Sequence, residues 1–364
     1  MSTSVPLPHE DLWQMLSHNE KPVLLYGMGD GADKIIRHMD TLSLTVLDVF
    51  ASDDFVRGQI YRGRKVLTLS QAEAIYGDFT VLLAFATRLP DVIDRICRIA
   101  ERHTLYVPDL PVYGNEVFDL ALCHRYEKEM NAARALWCDN ASRRLFDGLI
   151  EARLTGSLDR LLASSDPDGT DLYSLLSADT FRCAVDAGAY NGDTMRQLLA
   201  AAPQMEKVLA VEPDPKTARR LSLYAASETR ADISVFCGAA WSREAALPFT
   251  GKASRGAHLE ETAFTQTVPA APIDRLVGEM TVDYLKFDVE GAEAEALEGA
   301  AKTIKRDRPA VLLSLYHRPA DLFCLPLRLA TLCPDYRFYL RRPRCLPAWE
   351  TAMLAVPEER IRNR

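Results

Sequence analysis

In the second half of the chain, five short apolar runs each end on a residue suited to binding or proton transfer. Asp186 follows Cys183-Ala184-Val185, Glu212 follows Val208-Leu209-Ala210-Val211, and Gly238 follows the run at 233–236. Asp288 closes Tyr284-Leu285-Lys286-Phe287, and His317 closes the run at 310–316. Carboxylates there can accept hydrogen bonds from hydroxyl groups, and an imidazole can take a proton near neutral pH. Glycines permit a tight strand-to-helix turn and close approach of a ligand.

Such residues act together only if the runs are parallel strands of one sheet. In open α/β sheets, ligands bind at the carboxyl ends of the strands, where the strand order reverses. The turn Asp186-Ala187-Gly188-Ala189-Tyr190-Asn191-Gly192-Asp193-Thr194 would open a helix, whose free N–H groups face the crevice. Taken alone, it is also an ordinary turn. Glu212 lies about as far beyond Gly188 as the acidic residue that holds a ribose in dinucleotide sites. Glu212-Pro213-Asp214-Pro215 is equally a helix start. The two together point to an adenosine-containing ligand, either a nicotinamide cofactor or S-adenosylmethionine. Glu290 and Glu293 fit the favourable first turn of a helix.

The segments Val185-Asp186-Ala187-Gly188-Ala189, Val211-Glu212-Pro213-Asp214-Pro215, Leu285-Lys286-Phe287-Asp288-Val289-Glu290-Gly291-Ala292-Glu293 and Leu315-Tyr316-His317-Arg318-Pro319 occur in the order found in the FkbM family of methyltransferases. Residues 170–356 resemble that family. The resemblance implies methyl transfer from S-adenosylmethionine, usually to a hydroxyl oxygen of a sugar, glycan or other small acceptor. It assigns Asp186, Gly188, Ala189, Asn191, Gly192, Asp193 and Thr194 to the methionine end of the cofactor, Glu212 to the ribose, and Gly238 and Ala239 to the adenine. The chain departs from the family at Tyr190, where asparagine is frequent, and at Ser314, where many members carry an acid before the histidine.

If the acceptor is a hydroxyl, a base should take its proton as the new bond forms. His317 is the first candidate base and Asp288, expected also to contact the cofactor beside its reactive part, is the second, as base or as the group orienting the acceptor. Lys286 and Tyr316 are candidate acceptor contacts, as is Arg255 in a polar loop at 250–267 with Gly251, Ser254, Gly256 and His258. No metal is expected: clustered carboxylates can bind magnesium, but nothing in the spacing requires it.

The first half repeats the βαβ rhythm. Strand-like runs at 23–26, 44–50, 65–67, 81–84 and 105–107 alternate with helical ones. Gly27-Met28-Gly29-Asp30-Gly31-Ala32 fits a permitted form of the dinucleotide fingerprint, with Asp48, Asp53 or Asp54 available for a ribose. The segment 48–67 resembles the small nucleotide-binding domains of some sugar-modifying enzymes. A purely structural or dimerising role is the alternative. The expected fold class is α/β: two Rossmann-like domains at 1–112 and 179–364, joined by a helical connector at 113–178. The second is a class I methyltransferase sheet with an antiparallel hairpin at one edge, formed by runs at 337–340 and 353–356 that are too close for a crossover helix.

Composition narrows the classes. A chain of 364 residues with 48% hydrophobic and 26% charged side chains has the makeup of folded domains rather than disorder. A net charge of −8 without a long basic run disfavours nucleic acid as a partner. No apolar stretch spans a bilayer and the first residues lack a signal-peptide pattern, so a cytoplasmic protein off the membrane is expected, possible as a homodimer. Eight cysteines without a Cys-x-x-Cys pair read as reduced thiols. Two other functions stay open: a non-catalytic nucleotide- or nucleotide-sugar-binding protein, and an NAD-dependent oxidoreductase using Gly27, Gly29 and Ala32.

Overall fold

The computed structural model describes residues 4–166, 172–250 and 266–361. Its first sheet joins β1 (Val23–Tyr26), β2 (Asp48–Ala51), β3 (Leu67–Thr68), β4 (Thr80–Leu83) and β5 (Thr104–Tyr106), all parallel, in the order β3-β2-β1-β4-β5. Every residue of β1 and β4 is buried, as expected for central parallel strands covered on both faces. The expected second strand starts later than residue 44. Ser43 takes a left-handed conformation at φ 57° and Leu44 N–H closes back on the Met39 carbonyl at 2.9 Å, so the chain is still leaving the preceding helix there. The expected run at 65–67 divides: Arg64–Lys65 pairs with Ile60–Tyr61 in a small hairpin, and β3 alone joins the sheet.

Among the described residues, five helices, at Leu120–Arg125, Glu127–Leu136, Asn140–Thr155, Leu158–Ala163 and Leu172–Leu175, form the connecting region. The longest begins on Asp139, whose side chain accepts from Ser142 N–H, and ends on left-handed Gly156. Buried ionic groups tie two of these helices, Asn140–Thr155 and Leu158–Ala163, to their surroundings. Arg153 donates to Asp109 at 2.8 Å, and Arg342 donates to the carbonyls of Leu161 and Ser164 at 3.0 and 2.8 Å.

The second sheet has seven strands: β6 (Cys183–Ala187), β7 (Lys207–Glu212), β8 (Asp232–Cys237), β9 (Tyr284–Phe287), β10 (Ala310–Ser314), β11 (Tyr336–Arg341) and β12 (Ala352–Pro357). Their order is β8-β7-β6-β9-β10-β12-β11. The first five run parallel, while β12 is antiparallel to both β10 and β11. The expected edge hairpin is therefore present. Strand order reverses between β6 and β9, which sets the crevice at their carboxyl ends. A small sheet of Ala239–Ala240, Ala245–Phe249 and Gln266–Ala271, which the apolar pattern does not announce, covers the end beyond β8. The segment after β4 meets the loop between β11 and β12 directly: Thr87 and Leu346 exchange two backbone hydrogen bonds of 2.8 and 2.9 Å.

Candidate active site

Asp186 is 1% exposed, so it does not meet solvent. Its Oδ1 accepts from Lys286 Nζ at 2.9 Å and its Oδ2 from Thr194 Oγ1 at 3.1 Å. Register explains the pair, since Lys286 stands directly opposite Asp186 on the neighbouring strand. The Lys286 ammonium also donates to the Gly188 carbonyl at 3.1 Å and so fixes the turn that follows β6. The same turn is tied to β7, with the N–H groups of Gly188 and Ala189 both donating to the Val211 carbonyl. A side chain at Gly188 would stand 1.8 Å from the Asp288 carbonyl oxygen, and its φ is +83°. The glycine is required by the crossing of two backbones.

Glu212 ends β7 as a buried carboxyl. Its Oε2 accepts from Tyr190 N–H at 2.9 Å and its Oε1 from Asp214 N–H at 2.8 Å. Burial pushes its carboxyl up to about 7, against the pull of these two N–H groups. Asp214, not Glu212, caps the next helix, accepting from Thr217 N–H with Pro215 at the first helical position. Glu212 is thus a buried acceptor pair with only backbone donors. Two hydroxyl groups of a ligand could share it.

At the end of β9, Asp288 Oδ1 accepts from Ser314 Oγ at 2.7 Å and from Tyr316 Oη at 3.2 Å. Burial would raise its carboxyl. The nearby Lys286 ammonium outweighs that, with His317 and the two hydroxyls, and holds Asp288 below the usual carboxylate range. Both hydroxyl donors fall on Oδ1, while Oδ2 carries no hydrogen bond from them and lies 3.8 Å from the Lys286 ammonium.

His317 departs from its expected role. It is 0% exposed and does not line the cavity. Its Nδ1 lies 2.9 Å from Glu293 Oε1, and its Nε2 lies 3.5 Å from Glu290 Oε2 and 3.7 Å from Asp288 Oδ1. Burial alone would lower its pKa, but the Glu293, Glu290 and Asp288 carboxylates hold it at about 10. A shift in that direction favours the imidazolium form, which does not suit the role of base. The acid partner missing beside the histidine in sequence is supplied by Glu293, which also accepts from Val289 and Gly291 N–H at 2.8 and 3.1 Å.

These elements enclose a cavity of about 890 Å³, within the range of small-molecule sites, roughly 300–1,000 Å³. Of the expected cofactor residues, Gly188, Asp193, Thr194, Glu212, Ala239 and Asp288 line it. Asp186, Ala189, Asn191, Gly192 and Gly238 do not. Asp186 and Ala189 are sealed inside the fold, and Asn191 instead accepts from Asp193 N–H at 3.1 Å. A side chain at Gly192 would press on Leu221 at 3.1 Å, and one at Gly238 would meet the Phe236 ring and the Pro269 carbonyl at 2.5 Å. Those glycines therefore serve packing. Lys286 and Tyr316 line the cavity, but the lysine ammonium is bound to Asp186 and cannot be the acceptor contact expected of it. Residues 251–265, with Gly251, Ser254, Arg255, Gly256 and His258, lie outside the described residues.

Sequence reasoning missed part of the wall. Arg88 and Leu89, after β4 of the first sheet, line the cavity, as do Val112, Trp349 and Glu350. The Trp349 indole N–H is buried without a hydrogen-bond partner among the described residues. Tyr190, Glu290 and Glu350 also line the cavity and hold positive φ values of 45°, 54° and 60°. Non-glycine residues in that conformation cluster at functional sites. No local sequence signal marks Arg88 or Glu350, because the docking of separate elements brings them here.

The glycine loop of the first sheet is less suited to phosphates. A side chain at Gly27 would meet the Phe85 ring at 2.5 Å, and one at Gly31 the Ala84 carbonyl at 2.3 Å. The helix after the loop starts with Asp30 and Asp33, two acids at the end that would have to receive an anion. Among the described residues, no group of three or more His, Cys, Asp and Glu side chains could hold a metal ion, and no helix is long and apolar enough to cross a membrane.

Residues 186–343 match the family described as Methyltransferase FkbM domain. That stretch carries the likeness to an FkbM methyltransferase domain, and it covers most of the second sheet and its crevice. A solved structure of a methyltransferase FkbM from Methylobacillus flagellatus is similar over 97% of this chain and 94% of that one, with a TM-score of 0.70 and 21% identity. The likeness in fold thus extends through the first sheet. An rRNA methylase structure from Streptococcus thermophilus covers 51% of this chain and 92% of its own, with a TM-score of 0.33 and 15% identity. No curated protein sequence matches the chain.

Proposed function

We propose that the protein transfers a methyl group from S-adenosylmethionine to a hydroxyl oxygen of a small acceptor, a sugar or glycan hydroxyl being the leading candidate. The observation that carries this reading is Glu212: a buried carboxyl at the end of the strand beside the reversal of strand order, lining the cavity with both oxygens able to accept further donors. Such a group fits the two hydroxyls of a ribose. Val211, Ala239 and Phe249 give an apolar wall for adenine, and Asp193 and Thr194 border the methionine end. When bound, the cofactor supplies a methyl group already activated on a positively charged sulfur.

The chain must then hold an acceptor hydroxyl in line with that methyl and exclude water. Asp288 is the residue for this. Ser314 and Tyr316 fix one of its oxygens, and the other accepts the acceptor hydroxyl hydrogen and takes the proton as the new bond forms. A carboxylate held below its usual range is a weak base, so its main contribution is orientation.

Calorimetric titration tests the reading. S-Adenosylhomocysteine should bind, and Glu212→Ala should weaken it roughly 10- to 100-fold, the loss expected when hydrogen bonds to a charged acceptor disappear. Clear binding of NAD without S-adenosylhomocysteine would move the ligand to another chemistry. Because the Glu212 carboxyl titrates near about 7, it gains its charge as pH rises through that value. Wild-type affinity should therefore climb from about pH 6 to about pH 8, and the Glu212→Gln variant should show no such slope.

A further inference from the structure

We infer that the first domain is part of the acceptor site, and that Arg88 binds an oxyanion group, carboxylate or phosphate, carried by the acceptor. The inference rests on the methyl-transfer reading of the cavity and extends it to the substrate.

The geometry begins with the crevice that the first sheet would ordinarily use. Its strand order reverses between β1 and β4, where a nucleotide would lie. Phe85 fills the space over Gly27 there, and the Ala84 carbonyl lies against Gly31. The chain leaving β4 turns instead toward the second domain. Thr87 forms its two backbone hydrogen bonds with Leu346, and residues 86–89 become one wall of the methyltransferase cavity. A second strap comes from the end of the same domain. Lys34 donates to the carbonyls of Pro111 and Val112 at 3.1 and 3.3 Å, and Tyr113 N–H donates to the His317 carbonyl at 2.9 Å. Arg318 lies 4.1 Å over the Tyr113 ring, and Gly291 has no room for a side chain against it. The first domain thus supplies part of the wall of the cavity that Asp288 also lines.

Charge then selects the ligand. Among the described residues, the cavity is lined by six carboxylates (Asp193, Glu212, Asp214, Asp288, Glu290 and Glu350) and two cations. Lys286 is bound to Asp186, which leaves Arg88. Its exposed guanidinium has no ion pair or hydrogen bond with any described residue, despite the acidic lining. An unpaired guanidinium lining an acidic cavity attracts an anion, and its planar fork matches carboxylate and phosphate oxygens. An acceptor held there by its acid group would present a hydroxyl farther in, toward Asp288. A neutral acceptor would have no use for the cation.

The test uses the full chain saturated with S-adenosylhomocysteine, titrated by calorimetry with inorganic phosphate in one arm and acetate in the other, at constant ionic strength. Binding on the order of millimolar is expected in at least one arm, and the two arms tell phosphate from carboxylate recognition. Arg88→Gln should weaken it roughly tenfold or more, and Arg88→Lys should recover part of the loss. Absence of binding in both arms, or equal binding by Arg88→Gln, overturns the inference. S-Adenosylhomocysteine affinity is read on the same samples. A wild-type chain that binds none of it refutes the donor reading, whereas intact binding with an anion site insensitive to Arg88 refutes the role of Arg88 alone.

Discussion

Lys286→Met is expected to lower folding stability by about 3–5 kcal/mol, the range found when one partner of a buried ion pair is removed. The side chains of Lys286 and Asp186 are 6% and 2% exposed, and 2.9 Å separates their charged atoms. Methionine replaces the alkyl stem but leaves Asp186 charged, dry and supported only by the Thr194 hydroxyl. The Gly188 carbonyl loses its donor as well. Denaturant titration with an unchanged slope would give the cost. The double variant Asp186→Asn, Lys286→Met should recover much of it, since no uncompensated charge then remains. A double variant as unstable as the single one would show that packing, not charge, carries the pair. Burial pulls the lysine down, but Asp186 and Asp288 hold it above its ordinary value. Its contribution is therefore complete at every pH below the ordinary lysine range and is lost only as pH rises beyond it. The folded variant should also bind S-adenosylhomocysteine more weakly, because the turn at Gly188 carries Tyr190 N–H, one of the two donors that aim Glu212.

Much of the frame is legible along the chain because it is local. Tyr284–Phe287 reads as a strand from four residues and is one, and Asp288 falls at its end. The closeness of the last two runs announces their antiparallel pairing. What the sequence hides are relations between elements. Lys286 and Asp186 are 100 positions apart and meet only through the register of β6 and β9, so the lysine reads as a spare cation near a strand end. Glu293 reads as a helix-start acid, and the loop ahead of it must curl, with Glu290 left-handed, before its carboxylate reaches His317. Gly188 looks like a glycine that makes room for a ligand. It makes room for the Asp288 carbonyl, and the ligand space is a by-product of that crossing.

The second large effect concerns His317, whose imidazole is expected to show no titration between about pH 6 and about pH 8.5, with a pKa near about 10. Nuclear magnetic resonance of the ring nitrogens follows this directly. The sign fixes what stability should do. The folded-state pKa lies above the ordinary histidine value, so the stabilisation is complete below about pH 6.5 and is lost as pH rises through about 10. Alkaline unfolding should therefore set in earlier than in a His317→Gln variant measured against its own neutral-pH stability. Glu293→Gln removes the carboxylate 2.9 Å from Nδ1 and should cost about 3–5 kcal/mol at neutral pH, because a dry cation is left with the more distant Glu290 and Asp288. The same variant should bring the histidine pKa down toward the ordinary range. A catalytic consequence follows for the proposed reaction. If His317 were the base, the rate would rise with pH through a histidine-like limb. With the ring fixed as a cation, the limb near about 7 should come from Glu212 and cofactor affinity, and should persist in a folded His317→Gln protein while vanishing in Glu212→Gln. A wild-type ring that titrates near about 6.5, with a limb that disappears in His317→Gln, would return the histidine to the role of base.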